Sequence, residues 1–366
     1  MGFRLEVGRL LTACAAAAVA GCATMPDLAG PAPEEEIVRF YEGEMRYPHC
    51  AVACVREDGA TFAGDQRAIY RIGSLTKFFV RAAIENLDAE GRIDLDAPVT
   101  RYAPFALPVE YDNVTLRDLL ENRSGLSREF LNPLNPLDWH VAFCCGIFGT
   151  HLYEGFDEVE NFAEELRSWR SRRLLRAREP QYSNVGFALL ALAVENAVGM
   201  TFDEILADKV ARPLGLADTA FVPSSDMATR LTPPCAGKLP WLYPRGAEVP
   251  EHRLGPALRG TGALLSSAAD CARFFSSQWR YVDSLLREKP LSMCQDDEVR
   301  GLLCVKILTS GRRILYRFGM IYGGASYLCY EPESRTILII LRNVTSWPAA
   351  EDFTLTDRLL AKVPHT

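Results

Sequence analysis

The chain has 366 residues, 48% of them hydrophobic and 24% charged, ordinary values for a globular protein with one large core or two lobes sharing an interface. Its formal net charge of −7 argues against nucleic acid or a polyanionic surface as the main partner. No apolar run of about 20 residues follows the N-terminal segment, so no further membrane span is expected.

At the N-terminus, Arg4 and Arg9 precede the apolar run 10–20, which reads as a signal peptide by length and charge. Its end, Val19-Ala20-Gly21-Cys22, resembles a bacterial lipobox. That implies lipidation of Cys22 and an exported protein anchored in the cell envelope without a spanning helix. The alternative is an ordinary signal peptide with an incidental cysteine. Residues 23–36, with three prolines and a closing acidic run, read as a tether.

Residues 36–46 look helical, residues 49–55 strand-like, and a short second strand is expected near Thr61-Phe62. A helix then begins near Ser74 and runs to about Glu90, ended by Gly91, because Leu75, Phe78, Phe79, Ala82, Ala83 and Leu87 recur at helical spacing. Ser74 and Lys77 are three apart, neighbours on one face of its first turn. A serine hydroxyl needs a base, and a desolvated, neutral lysine can serve. On the same wheel Ser74, Lys77, Arg81, Glu85 and Asp88 form a polar stripe that could simply be solvated. Only six of the 40 basic residues are lysine, and arginine cannot act as a base, so a lysine here is informative.

Residues 92–107 look like an irregular crossing segment, and a helical pattern follows from Thr115. Residues 127–178 are the least readable, either a lid over a site or local packing, and the arginine cluster 167–178 reads as a solvated face. A strongly apolar helix over 185–198 ends at Gly199, and further helices cover 202–211 and 268–279. The last hundred residues alternate as strands over 302–308, 312–319, 326–330 and 336–342, an antiparallel meander, and a helix over 353–362 closes the chain.

Eleven cysteines, less Cys14 and Cys22, leave nine in the mature body, read mainly as small buried apolar residues. No zinc-like Cys/His spacing, Gly-x-Ser-x-Gly elbow or Ser-His-Asp context stands out, and no metal or cofactor is expected. The element order predicts an α+β fold. Its antiparallel sheet is flanked by N- and C-terminal helices in one lobe, about 37–110 and 255–366, with a mostly helical lobe, about 111–254, inserted. A cleft between the lobes is the expected site.

Tyr182-Ser183-Asn184, opening the apolar helix, resembles the Tyr-x-Asn of the serine β-lactamase-like superfamily, in the branch of class C β-lactamases, D-alanyl-D-alanine peptidases and related esterases. The nucleophile segment 70–77, Leu119-Leu120-Glu121-Asn122-Arg123-Ser124-Gly125-Leu126, Pro213-Leu214-Gly215-Leu216 and Thr261-Gly262-Ala263-Leu264-Leu265-Ser266-Ser267 match in order. The resemblance implies Ser74 as acylated nucleophile, Lys77 as its base, Tyr182 as proton shuttle and Asn184 as the group holding Lys77 and the substrate. It also implies an oxyanion hole from the backbone N–H groups of Ser74 and Met320.

The family's Lys/His-Thr/Ser/Gly-Gly motif, on an edge strand, falls on Arg317-Phe318-Gly319, where the pattern departs. Arg317 could grip a carboxylate, while Phe318 removes a hydroxyl that resembling enzymes turn on the substrate carboxylate. The resemblance therefore implies a serine hydrolase of an ester, amide or β-lactam, on a small-molecule or peptide substrate, with a monomer assumed. A catalytically weakened binding protein of the envelope is the competing reading.

Overall fold

The computed structural model describes residues 24–129, 158–167, 181–238, 243–251, 254–346 and 350–362. In chain order its strands are β1 (Cys50–Arg56), β2 (Gly59–Ala63), β3 (Tyr70–Arg71), β4 (Cys235–Ala236), β5 (Leu265–Ser266), β6 (Val299–Arg300), β7 (Leu303–Ile307), β8 (Arg313–Ile321), β9 (Gly324–Glu331), β10 (Thr336–Arg342) and β11 (Val344–Thr345). The main helices are α1 (Pro33–Arg39), α2 (Thr76–Ala89), α3 (Leu116–Leu120), α4 (Val159–Arg167), α5 (Asn184–Val198), α6 (Phe202–Leu206), α7 (Ala268–Ser277), α8 (Trp279–Glu288) and α9 (Ala350–Leu360).

Seven strands form an antiparallel sheet in the order β2-β1-β10-β9-β8-β7-β6. β1 pairs directly with β10, so the two ends of the chain meet in one layer, giving the expected α+β fold. Alternation along the strands divides the core in two. Ala51, Ala53, Leu315, Leu328, Tyr330, Ile337 and Ile339 face the helical lobe and pack with α2, α5 and α7. Val52, Cys54, Ile314, Tyr327, Cys329, Leu338 and Ile340 face the other way, onto α1 and α9. Each fully buried Leu or Ile contributes roughly 1.5–3 kcal/mol, so both faces are needed to hold the sheet.

The second face is pinned by charge as well. Arg342 on β10 and Asp352 on α9, both buried, form a two-point ion pair at 3.1 Å, and Tyr41 Oη donates to Asp352 at 2.5 Å. The N-terminal layer, the sheet and the last helix thus share one buried polar knot.

Several expectations are corrected. The first helix opens at Pro33, at its first turn, and runs on through a π turn, Phe40–Glu44. The segment read as a tether is therefore partly folded: Arg358 on α9 donates to the carbonyls of Met25 and Pro26, and Leu28 is buried. Helix α8 was not expected; its buried side chains Tyr281, Val282 and Leu285 are sparse among charged residues, so the apolar stripe is thin. Of the arginine cluster 167–178 only Arg167, at the end of α4, is described; it is exposed, as a solvated face requires, and its Nε also donates to Ala106 O at 3.1 Å. The remainder of the 127–178 question, with Cys144 and Cys145, lies outside the described residues, as do Cys14 and Cys22. The seven described cysteines are free thiols, all buried except half-buried Cys304.

Candidate active site

Ser74 sits in a 3₁₀ turn, Gly73–Leu75, that leads into α2, so it stands just ahead of the helix rather than on its first turn. The turn is clamped from three directions. β3 pairs with β5, Ser326 Oγ donates to Ile72 O at 2.8 Å, and Thr76 Oγ1 donates to Gly73 O at 2.6 Å. Gly73 has φ +52°, and a Cβ there would come within 2.6 Å of Met320 N. Only glycine allows that backbone and that approach together.

Lys77 lies on α2 with 1% of its surface exposed, so the polar stripe is not a solvated face. Arg81 on the same stripe is held by Glu85 at 2.5 Å and stacks on Tyr281. Lys77 Nζ donates to Asn184 Oδ1 at 2.7 Å and to Thr261 O. Burial, the largest influence, holds Lys77 below the ordinary lysine range; the Arg317 charge adds to this, while Tyr182 and Glu129 oppose it.

Tyr182 and Asn184 are delivered by the turn after α3. Asn122 adopts φ +57°, a conformation asparagine tolerates, and its Oδ1 accepts from Ser183 N at 3.0 Å. Ser183 caps α5, its Oγ accepting from Gly186 N at 2.8 Å and donating to Ser127 O at 2.7 Å. This brings Tyr182 Oη to 2.7 Å from Ser74 Oγ, with Lys77 Nζ 4.9 Å from the Tyr182 ring centroid. Burial alone pushes the phenol up. The charges of Lys77 and Arg317, with hydrogen bonds to Lys77 and Ser74, outweigh it and bring Tyr182 down to about 8.

Strand β8 supplies the third wall. Its pairing with β7 ends at Tyr316, so among the described residues its outer edge is open from Arg317 onward, although β8 is not the last strand of the sheet. The two-residue turn between Ile321 and Gly324 makes those two the closing pair, and alternation then leaves Met320 N–H on that open edge. A Cβ on Gly319 would lie 3.1 Å from Ser74 N, which puts the Ser74 and Met320 amides side by side. Arg317 lies on the cleft face, its guanidinium carbon 4.0 Å from the Tyr182 ring centroid. Phe318 is turned to the opposite face, against Tyr316, Tyr327 and Phe353. Period-two alternation takes its side chain away from Ser74, so this position brings no hydroxyl to the cleft.

Two residues went unread in the sequence. Glu129 Oε1 accepts from Asn184 Nδ2 at 2.6 Å, and the Arg128 guanidinium carbon lies 5.3 Å from the Tyr182 ring centroid. Neither belongs to a periodic element or a motif, so only the fold reveals them. Beside Met320, a recess lined by Phe221, Leu231, Leu254, Leu265 and Ile321 has Arg71 and Glu251 at its polar side, paired to each other at 2.8 Å.

A serine-bearing turn, a buried lysine, a tyrosine of lowered pKa and two adjacent backbone N–H groups, set between an antiparallel sheet and a helical lobe, form an arrangement that can support serine acyl transfer. The chain belongs to the Beta-lactamase family, whose model matches residues 44–361. It is 29% identical over 213 residues to the D-alanyl-D-alanine-carboxypeptidase/endopeptidase AmpH of Escherichia coli K12, covering 57% of this chain and 48% of that one. It is 33% identical over 186 residues to the esterase EstB of Burkholderia gladioli, covering 49% and 45%. The matches thus span about half the length of these relatives. Among solved structures, a β-lactamase/D-alanine carboxypeptidase from Yersinia pestis aligns with TM-score 0.65 at 17% identity, over 89% of this chain and 95% of that one. A penicillin-binding protein homologue from Pyrococcus abyssi aligns with TM-score 0.68 at 21% identity, over 89% and 76%. These structures share the fold.

Proposed function

We propose that the protein is a serine hydrolase that cleaves an ester or amide through an acyl-enzyme on Ser74. The 2.7 Å contact between Ser74 Oγ and Tyr182 Oη, beside a buried Lys77, carries this reading. As Oγ attacks the substrate carbonyl carbon, its proton passes to the Tyr182–Lys77 pair, and the oxyanion meets the N–H groups of Ser74 and Met320. Tyr182 then gives the proton to the leaving group. Water attacks the acyl ester, losing its proton to Tyr182, and Ser74 Oγ is released with that proton restored.

Arg317 offers a fixed cation for a carboxylate on the leaving-group side. The recess beside Ile321 suits an uncharged acyl portion, since its Arg71 is already neutralised by Glu251 and its Arg259 by Asp203. Esters and peptide-like amides fit this arrangement, and β-lactams are the less favoured substrate. The relatives' names, an esterase and a carboxypeptidase, are consistent with either. Turnover of p-nitrophenyl esters, D-alanyl-D-alanine peptides and a chromogenic cephalosporin by the wild type, with none by Ser74→Ala, tests the reading. A weakened binding protein would show saturable binding of one of these with no turnover and no adduct.

The lipobox-like end of the N-terminal segment supports export and anchoring through Cys22. Metabolic labelling with palmitate, lost in Cys22→Ser, is the expected outcome; equal labelling of both proteins would contradict it.

A further inference from the structure

Glu129 belongs to none of the motifs around Ser74, and the steps above use it nowhere. Its Oε1 accepts a 2.6 Å hydrogen bond from Asn184 Nδ2, while Asn184 Oδ1 accepts from Lys77 Nζ at 2.7 Å. A side-chain amide has one donor end and one acceptor end, and a carboxylate only accepts. Glu129 therefore dictates which way the Asn184 amide is turned. The backbone is fixed from the same segment, since Asn184 N donates to Arg128 O at 2.9 Å.

We propose that Glu129 is a positioning residue for the reaction at Ser74: its carboxylate locks the Asn184 amide with Oδ1 toward Lys77 and sets one negative charge against the proton-transferring pair. This rests on the acyl-enzyme reading. Among the described residues, the charges facing Lys77 and Tyr182 are Arg317 from β8, and Arg128 and Glu129 from the segment after the Ser-Gly-Leu turn. Glu129 is the one carboxylate in that set, with the Arg128 Nε at 3.8 Å. Its charge favours the protonated form of Lys77 and disfavours the phenolate of Tyr182, so it raises the pH at which the coupled pair gives up its first proton. Removing the charge lowers that pH whichever residue releases the proton.

The test compares wild type, Glu129→Gln and Glu129→Ala, each with and without Tyr182→Phe. The phenolate absorbance difference within each pair follows Tyr182 without any substrate, and acylation by a p-nitrophenyl ester is measured across the same pH range. Glu129→Gln keeps an accepting oxygen and loses the charge. Its Tyr182 titration and the acid limb of its acylation profile are expected to move to lower pH, with the plateau rate within about threefold of wild type. Glu129→Ala also frees the amide, and its plateau is expected to fall about tenfold or more with little change in KM.

Superimposed titrations of wild type and Glu129→Gln, or an undiminished plateau in Glu129→Ala, would overturn the proposal. Should Glu129→Ala fail to fold, as judged by circular dichroism, the near-isosteric Gln titration decides. A wild-type protein that does not acylate would instead count against the hydrolase reading, and the absorbance titration would still report on Glu129.

Discussion

The Arg317 guanidinium is stacked 4.0 Å from the centre of the Tyr182 ring, so a permanent cation lies against the phenol that touches the nucleophile. A positive charge at that distance favours phenolate over phenol. In the proposed mechanism Arg317 thus serves the proton shuttle as well as any carboxylate it reads. Arg317→Ala is expected to raise the Tyr182 pKa above about 8 and to move the acid limb of kcat/KM to higher pH. Below that limb, a tenfold gain in the proton affinity of Tyr182 slows the reaction about tenfold. Arg317→Lys should bring the limb part of the way back. A pH–rate profile of the three proteins checks this.

Lys77 is enclosed by Asn184 Oδ1, Thr261 O and the Tyr182 ring, with almost no access to solvent. Lys77→Arg keeps the charge but cannot release a proton, and its larger head group does not fit the same enclosure. Acylation measured by stopped flow is expected to fall about 10²–10⁴-fold in both Lys77→Arg and Lys77→Ala. Near-normal acylation in Lys77→Arg would show that the charge alone suffices.

Gly73 tests the backbone amides without touching a catalytic side chain. In Gly73→Ala the new Cβ meets Met320 N and the positive φ becomes strained. The strain costs about 1–3 kcal/mol, and relief requires the turn and β8 to separate. Both the unfolding midpoint and kcat are expected to drop while ground-state binding persists.

The knot of Tyr41, Arg342 and Asp352 lies on the sheet face turned away from the helical lobe, and its expected effect is on stability. Asp352→Ala leaves Arg342 buried without its partner and is expected to destabilise the protein by about 3–5 kcal/mol in denaturant unfolding. Asp352→Ala with Arg342→Met should recover much of that loss.

Much of the frame was legible because periodicity reports burial. The continuous apolar run of 336–342 and the helical spacing after Ser74 became β10 and α2, and the Tyr-x-Asn opening of an apolar helix became the cap of α5. Side-chain direction was harder. The sequence alone could not say that Phe318 turns to the α9 face, because that depends on the register of β8 against β9. The solvated-stripe alternative for Lys77 stayed open because a polar stripe on α2 is the same pattern whether it meets water or a second lobe. Glu129 and Arg128 carried no signal, since their roles come from a turn packed against the start of α5, a contact between distant segments. The ordering of 25–36 was hidden for the same reason, its partner being Arg358 near the other end of the chain.

The central claim is that Ser74 becomes covalently acylated. Intact-mass spectrometry after exposure to a fluorophosphonate and, separately, to a penicillin tests it most directly, with Ser74→Ala as control. A single fluorophosphonate adduct that Ser74→Ala abolishes, with slight or no penicillin adduct, is the predicted result. Absence of any Ser74-dependent adduct with either reagent, in a protein that is folded, would contradict the account.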